Sequence, residues 1–181
     1  MRAADAVDPP LLVLVTGPPG VGKTTVAAPL ARELGLPLIA RDELKETLYE
    51  ELGTGDVDWT RRLGSASFGL LRLLAVRLLE AGSGAVLEAN FFRGLSERDF
   101  DGLPPHRLVQ VHCSAPAEVV LERYEQRAGR HPGHLDDRRR DEVLARLHDG
   151  THDPLDLPGS VVRVDTTSPV DVAALADRIR S

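Results

Sequence analysis

Residues 17–24 read GPPGVGKT, with the apolar run LLVLVT before them and TVAAPLARELG after them. A chain that stops an apolar strand at glycines and prolines, presents a single lysine and then starts a helix gives up local stability. The sacrifice makes sense only if something must sit against bare backbone. The spacing Gly17-x-x-x-x-Gly22-Lys23-Thr24 is that of a phosphate-binding loop. Gly17, Gly20 and Gly22 permit backbone conformations and a close approach that a Cβ blocks. The loop N–H groups then converge as an anion nest, and the next helix aims its N-terminus at the same point. Lys23 supplies a mobile charge for β- and γ-phosphate oxygens, and Thr24 a hydroxyl for Mg²⁺. Pro18, Pro19, Val21 and Thr25 belong to the same expected nucleotide site.

The flanking sequence fits such a loop. Residues 11–15 are all apolar, as in a parallel strand covered on both faces. Val26, Leu30, Ala31 and Leu34 recur at helical spacing, and Gly35 ends the run. Further on, apolar runs alternate with helical patterns. The expected strands are 11–16, 37–40, 84–89, 107–113 and 161–165. The expected helices are 23–34, 42–51, 60–81, 116–129, 138–148 and 169–180. This alternation predicts right-handed crossovers and an α/β fold, a parallel sheet with helices on both faces. Helix 60–81 carries only Arg72 and Arg77 as charges between Leu63 and Leu79, which predicts that it is mostly buried. Pro116 and Pro169 suit the first turns of their helices, and Ser168 with Asp171 has the spacing of a capping box. Residues 1–9 read as a disordered lead-in and 149–160 as a surface connection.

Composition narrows the class. A chain of 181 residues suffices for one domain with a sizeable core, so a single domain over 1–181 is expected. No apolar stretch reaches the ~20 residues of a membrane span, and the N-terminus has no apolar signal region. The one cysteine, Cys113, excludes an internal disulfide and fits a reducing, cytoplasmic setting. It ends an apolar run and reads as a buried structural thiol. A formal charge of −6 argues against a general nucleic-acid binder. Only Lys23 and Lys45 are lysines, which makes a lysine at the loop position more telling. A guanine-reading N-K-x-D is absent: the only asparagine, Asn90, is followed by Phe91.

The order of motifs resembles the nucleoside-monophosphate-kinase-like small P-loop kinases. Within them it looks like the chloramphenicol phosphotransferase, zeta-toxin and polynucleotide-kinase branch, often grouped as small AAA-type kinases. The shared features are GPPGVGKTT, the aspartate in IARDELKETL, a third strand ending in LEAN, the arginine-bearing LERYEQRAGR, and a late VDTT. The resemblance implies five parallel strands in the order 2-3-1-4-5, a helical lid over about 123–140, and ATP with Mg²⁺ as cofactors. It implies transfer of the γ-phosphoryl group to a small-molecule hydroxyl. Alternatives are a polynucleotide 5′-kinase and a nucleotide-dependent switch that phosphorylates nothing. Seven arginines face seven carboxylates in 118–146, which disfavours a nucleic-acid track. No feature specifies an oligomeric state.

Site residues follow. Asp42, after the second strand, is the expected catalytic base, unless it only caps the following helix. Arg41 beside it is a candidate acceptor ligand or a solvated residue. Glu88 stands where relatives hold the Mg²⁺ shell, although many of them have Asp there; a purely structural Glu88 is the alternative. Asn90, Phe91 and Arg93 are expected at the acceptor, with Phe91 and Phe92 as a pocket wall or as core packing. Tyr49 and Trp59 are the other aromatics expected near that cleft. Arg123, Arg127 and Arg130 share one helical face and would neutralise the transferred phosphoryl group, or else form a solvated face. Arg123 is also expected at the nucleotide, and Arg130 at the acceptor. Thr166 lies on the loop expected to border adenine. His131 and His134 read as lid residues, and His148 and His152 as surface residues.

Overall fold

Leu11–Thr16 (β1) is the centre of the fold because both of its faces find apolar cover. Its neighbours are Ala85–Glu88 (β3) on one side and Arg107–Ser114 (β4) on the other. Leu38–Ala40 (β2) adds to β3, and Ser160–Asp165 (β5) to β4. The computed structural model describes residues 8–126, 144–147 and 149–181. Among them the five strands form one parallel sheet in the order 2-3-1-4-5, as the sequence resemblance implies.

Strand alternation sorts the core into two layers. Val13 and Val15, with Val109 and Val111, pack against helices Lys23–Leu34 (α1) and Val172–Arg180. Leu12 and Leu14, with Leu87 and Leu108, face Val57–Glu80 (α3), which follows Arg41–Leu52 (α2). Ala117–Gln126 is α4, and Val172–Arg180 is α5. Gly35, at φ 67°, closes α1 with Leu36 N–H donating to the Ala31 carbonyl at 2.9 Å, a Schellman ending. No helix among the described residues is long and apolar enough to cross a membrane.

Several element boundaries differ from the sequence expectation. Helix α2 starts at Arg41 with Ala40 at its cap position, so Asp42 sits inside the first turn rather than at the cap. Helix α3 starts at Val57, because the Asp56 carboxylate accepts from Trp59 N–H at 2.8 Å. It is not mostly buried: one stripe through Leu63, Ser67, Leu71, Ala75 and Leu79 faces the sheet, while Leu70, Leu73 and Leu74 are exposed. Helix α5 starts at Val172, capped by Asp171 rather than Ser168, with Ala174 N–H donating to its carboxylate at 3.0 Å. Most of the expected lid, with Arg127, Arg130, His131 and His134, lies outside the described residues, as do most of helix 138–148 and His148.

Candidate active site

The strand-to-helix turn after β1 exists only because glycine occupies three of its positions. Gly17, Gly20 and Gly22 hold φ of 135°, 84° and 97°, the left-handed region where a side chain is strained. A Cβ on Gly17 would lie 2.4 Å from the Cys113 carbonyl oxygen, and one on Gly20 2.7 Å from that of Val120. The loop is thus pressed onto β4 and α4, leaving its concave side as bare backbone. Lys23 is buried, and its Nζ donates to the Pro18 carbonyl at 2.9 Å, so the ammonium is curled back over the loop. A glycine cradle beneath an ammonium, at a helix N-terminus, fits a phosphate chain.

Thr24, one residue into α1, donates its hydroxyl to the Glu88 carboxylate at 3.2 Å. Glu88 ends β3 and is buried. Two hard oxygen donors beside a phosphate cradle fit a Mg²⁺ ion that also takes phosphate and water oxygens.

Sheet register carries Asp42 to the same edge. Ala40, Glu88, Val15 and Val111 form one row across the strands. Asp42 follows Ala40 by two residues, so it stands at this edge of the sheet just beyond β2. Its carboxylate meets the Arg41 guanidinium at 3.3 Å and keeps 39% of its side-chain exposure. Arg41 is not a solvated residue. Its Nε donates to Ser67 Oγ at 3.1 Å and its Nη2 to the Gly64 carbonyl at 3.4 Å, and the guanidinium stacks 4.8 Å over Phe68. It ties Asp42 and the start of α2 to α3.

On the other side of the loop lies a cleft of about 650 Å³, lined by Gly22, Thr25, Arg123, Gln126, Thr166 and Pro169 among others. Arg123 Nη2 donates to the Thr166 carbonyl at 3.0 Å. The Thr166 hydroxyl bonds the Val21 carbonyl at 2.6 Å, with the Ser114 carbonyl also near, at 3.1 Å. Thr166 thus pins the segment after β5 against the loop, with its hydroxyl engaged by backbone.

The expected aromatic wall is mostly absent from the cleft. Phe91 is fully buried and packs on Phe68 and Phe100 at centroid distances of 6.1 and 5.4 Å, as a core residue. Tyr49 is buried, with Lys45 over its ring. Trp59 covers the turn before α3, its Nε1 donating to the Gly53 carbonyl at 2.9 Å. Phe92 is left, between His152 at 5.4 Å and the Arg146 guanidinium at 5.4 Å. Arg93 N–H donates to the Thr151 carbonyl at 2.9 Å, joining this loop to the segment before β5. Asn90 is half-buried, and its Oδ1 is buried with no hydrogen-bond partner among the described residues.

Two histidines complete this region, and sequence reading missed both. His152 is not a surface residue: it is 7% exposed, as is His112 on β4. A signal existed. Leu108, Gln110 and His112 alternate along a strand covered on both faces, so two polar side chains had to be buried there. Gln110 resolves its own burial by pairing with Leu155, Nε2 donating to the carbonyl at 3.0 Å and Oε1 accepting from N–H at 2.8 Å. That pairing draws residues 149–155 onto the sheet.

Burial, followed by the cations of Lys23 and Arg146, pushes the His152 imidazole down to about 4. An unfolded imidazole protonates near pH 6.5, so on acidification the unfolded chain takes its proton first and stability falls across pH 6.5 to 4. Replacing His152 with Gln should remove up to ~3 kcal/mol of that fall. Urea unfolding of both proteins at several pH values over the window checks this; equal slopes contradict it.

A protein-family model described as an AAA domain matches residues 12–149. A cytidylate kinase from Ignicoccus hospitalis is 32% identical over 119 residues, which is 65% of each chain, so this chain matches under two thirds of that relative's length. The solved structure of a "putative kinase" from Chloroflexus aurantiacus is 35% identical, with a TM-score of 0.87 over 96% of this chain and 98% of its own. A sugar kinase from a Janibacter species shares the fold at 21% identity, with a TM-score of 0.60 over 95% of this chain and 92% of its own. With a matching model over most of its length and the glycine cradle, Lys23 and the 2-3-1-4-5 sheet in place, the chain belongs to this AAA domain family, among the nucleoside-monophosphate-kinase-like P-loop proteins.

Proposed function

We propose that the protein is an ATP-dependent phosphotransferase that moves the γ-phosphoryl group to a hydroxyl of a small molecule. The observation that carries this reading is Asp42, a partly exposed carboxylate on the same sheet edge as the phosphate loop. An acceptor phosphate is already ionised and needs no base, whereas an acceptor hydroxyl has a proton to lose. The named likenesses to a cytidylate kinase and to the Chloroflexus protein support phosphoryl transfer in general.

In this reading Thr24 and Glu88 would hold Mg²⁺, which when bound neutralises charge on the β- and γ-phosphates. Lys23 leaves the Pro18 carbonyl for phosphate oxygens, and Arg123 adds a second cation from α4. Asp42 takes the acceptor's proton as its oxygen bonds to the γ-phosphorus and the bridging P–O bond to ADP breaks. Arg41 holds the Asp42 carboxylate in place. Arg127 and Arg130 extend the proposed cationic set.

The test is a radiolabel-transfer screen from γ-labelled ATP, run at low and moderate salt. Expected is label on a small hydroxylated compound and only traces on 5′-hydroxyl RNA or DNA. Strong oligonucleotide labelling that falls steeply with salt contradicts the reading, since counterion release marks a phosphate-tracking surface.

A further inference from the structure

A hydroxyl phosphotransferase must hold the rest of its acceptor as well as the reacting oxygen. The Nδ1 atoms of His112 and His152 and the hydroxyl of Thr16 are buried without a hydrogen-bond partner among the described residues. Both histidines are 7% exposed and Thr16 is 0% exposed. A buried polar group without a partner costs ~1–3 kcal/mol, and native folds keep few of them. Gln110, two residues before His112 and on the same face, shows that this fold satisfies such groups where it can. His112, His152 and Thr16 lie in one region beside the phosphate loop. His112 and His152 line one cavity of about 270 Å³, shared with Pro18, Arg146 and Asp153. Thr16 pairs with His112 across β1 and β4, which puts their side chains on one sheet face, and Thr16 leads directly into the phosphate loop. Pro18, on the cavity wall, is the residue whose carbonyl holds Lys23.

The chemistry of these groups is uniform. Burial, with Lys23 and Arg146, keeps His152 uncharged at neutral pH, and burial with Arg163 does the same for His112. An uncharged imidazole donates from one nitrogen and accepts at the other, and a threonine hydroxyl also does both. Hydroxyls are the matching ligand, since they too donate and accept. A carboxylate or phosphate would meet lone pairs as often as donors. Arg146 and Asp153 on the same wall balance in charge, and the Arg146 guanidinium stacks on Phe92. The volume lies just below the ~300–1,000 Å³ of ordinary ligand pockets, so it suits a ligand no larger than one ring.

We propose that His112 and His152, backed by Thr16 beside His112 on the same sheet face, form the hydroxyl-reading wall of the acceptor pocket, and that the acceptor is an uncharged polyhydroxylated compound of monosaccharide or cyclitol size. The inference rests on the phosphotransferase reading above.

The experiment gives the whole protein MgATP with D-glucose, D-ribose and myo-inositol as uncharged acceptors, and D-gluconate, shikimate and CMP as charged ones. Expected is transfer to an uncharged compound with kcat/KM about tenfold or more above every charged one, the scale of one lost buried hydrogen-bond match. For that compound, His112→Ala and His152→Ala should raise the acceptor KM about tenfold while the ATP KM moves less than about twofold. His152→Asn, which keeps a polar atom near the Nδ1 position, should recover part of the loss. Thr16→Val guards against a merely structural effect. It removes a buried unpartnered hydroxyl at constant shape, so it should melt no lower than wild type and yet raise the acceptor KM. Preference for a charged compound, or silence on the uncharged set while a charged one is phosphorylated, overturns this inference and leaves the phosphotransferase standing. An unchanged acceptor KM in all four variants also overturns it. No ADP formation with any compound overturns both.

Discussion

If the protein is the phosphotransferase proposed above, Lys23→Ala should abolish phosphoryl transfer, with a loss of roughly 10³-fold or more in turnover, the scale of a transition-state charge contact in a preorganised site. The side chain is buried, its ammonium rests on the Pro18 carbonyl at 2.9 Å, and it is the only charged group of the loop sequence GPPGVGKT. The glycine cradle remains in the variant, so nucleotide binding weakens but survives, whereas charge spreading onto the γ-phosphoryl oxygens meets no ammonium. A second signature follows from the same charge. Lys23 is among the causes that hold His152 down, so its removal lets the His152 pKa rise. Turnover within a few-fold of wild type would contradict the assignment of the loop.

Asp42→Asn should leave the fold in place and remove the proposed base. Asp42 occupies the first turn of α2 while Ala40 stands at its cap position, so the cap residue is unchanged. The Asp42–Arg41 contact, at 3.3 Å and partly exposed, contributes about 0–1 kcal/mol, and the carboxylate's interaction with the helix dipole a similar amount. Asn keeps the shape and an oxygen for Arg41. The melting point should therefore shift by only a few degrees, while turnover falls roughly 10²-fold or more, the usual contribution of a positioned base. The contradicting result is a variant that melts far earlier and yet turns over normally.

The parts of the fold legible in the sequence were those set by local chemistry. Glycine spacing marked the loop, unbroken apolar runs marked strands covered on both faces, and Gly35 marked the end of α1. The parts that were not legible depend on partners distant in the chain. Phe91 and Phe92 are adjacent and chemically alike. Strand alternation stops at Glu88, so only the folded loop decides that Phe91 enters the core while Phe92 meets Arg146 and His152. His152 sits in a Gly/Pro/Asp-rich stretch that reads as surface, but Gln110, 45 residues away from Leu155, pulls that stretch onto β4. For Arg41 the sequence left an acceptor ligand and a solvated residue both open, because its partners, Gly64, Ser67 and Phe68, arrive from the next helix. Composition alone suggested that α3 was mostly buried, while the geometry of one helix against one sheet leaves Leu70, Leu73 and Leu74 outside.

The central claim is that the phosphate loop and Asp42 together make a phosphoester rather than hydrolyse ATP. Phosphorus NMR of wild-type protein incubated with MgATP and the pooled uncharged acceptors reads both fates of the γ-phosphorus in one spectrum. The account predicts a new phosphomonoester resonance growing in step with ADP, and its absence with Asp42→Asn. ADP that accumulates with inorganic phosphate alone, or a spectrum of unaltered ATP, would contradict it.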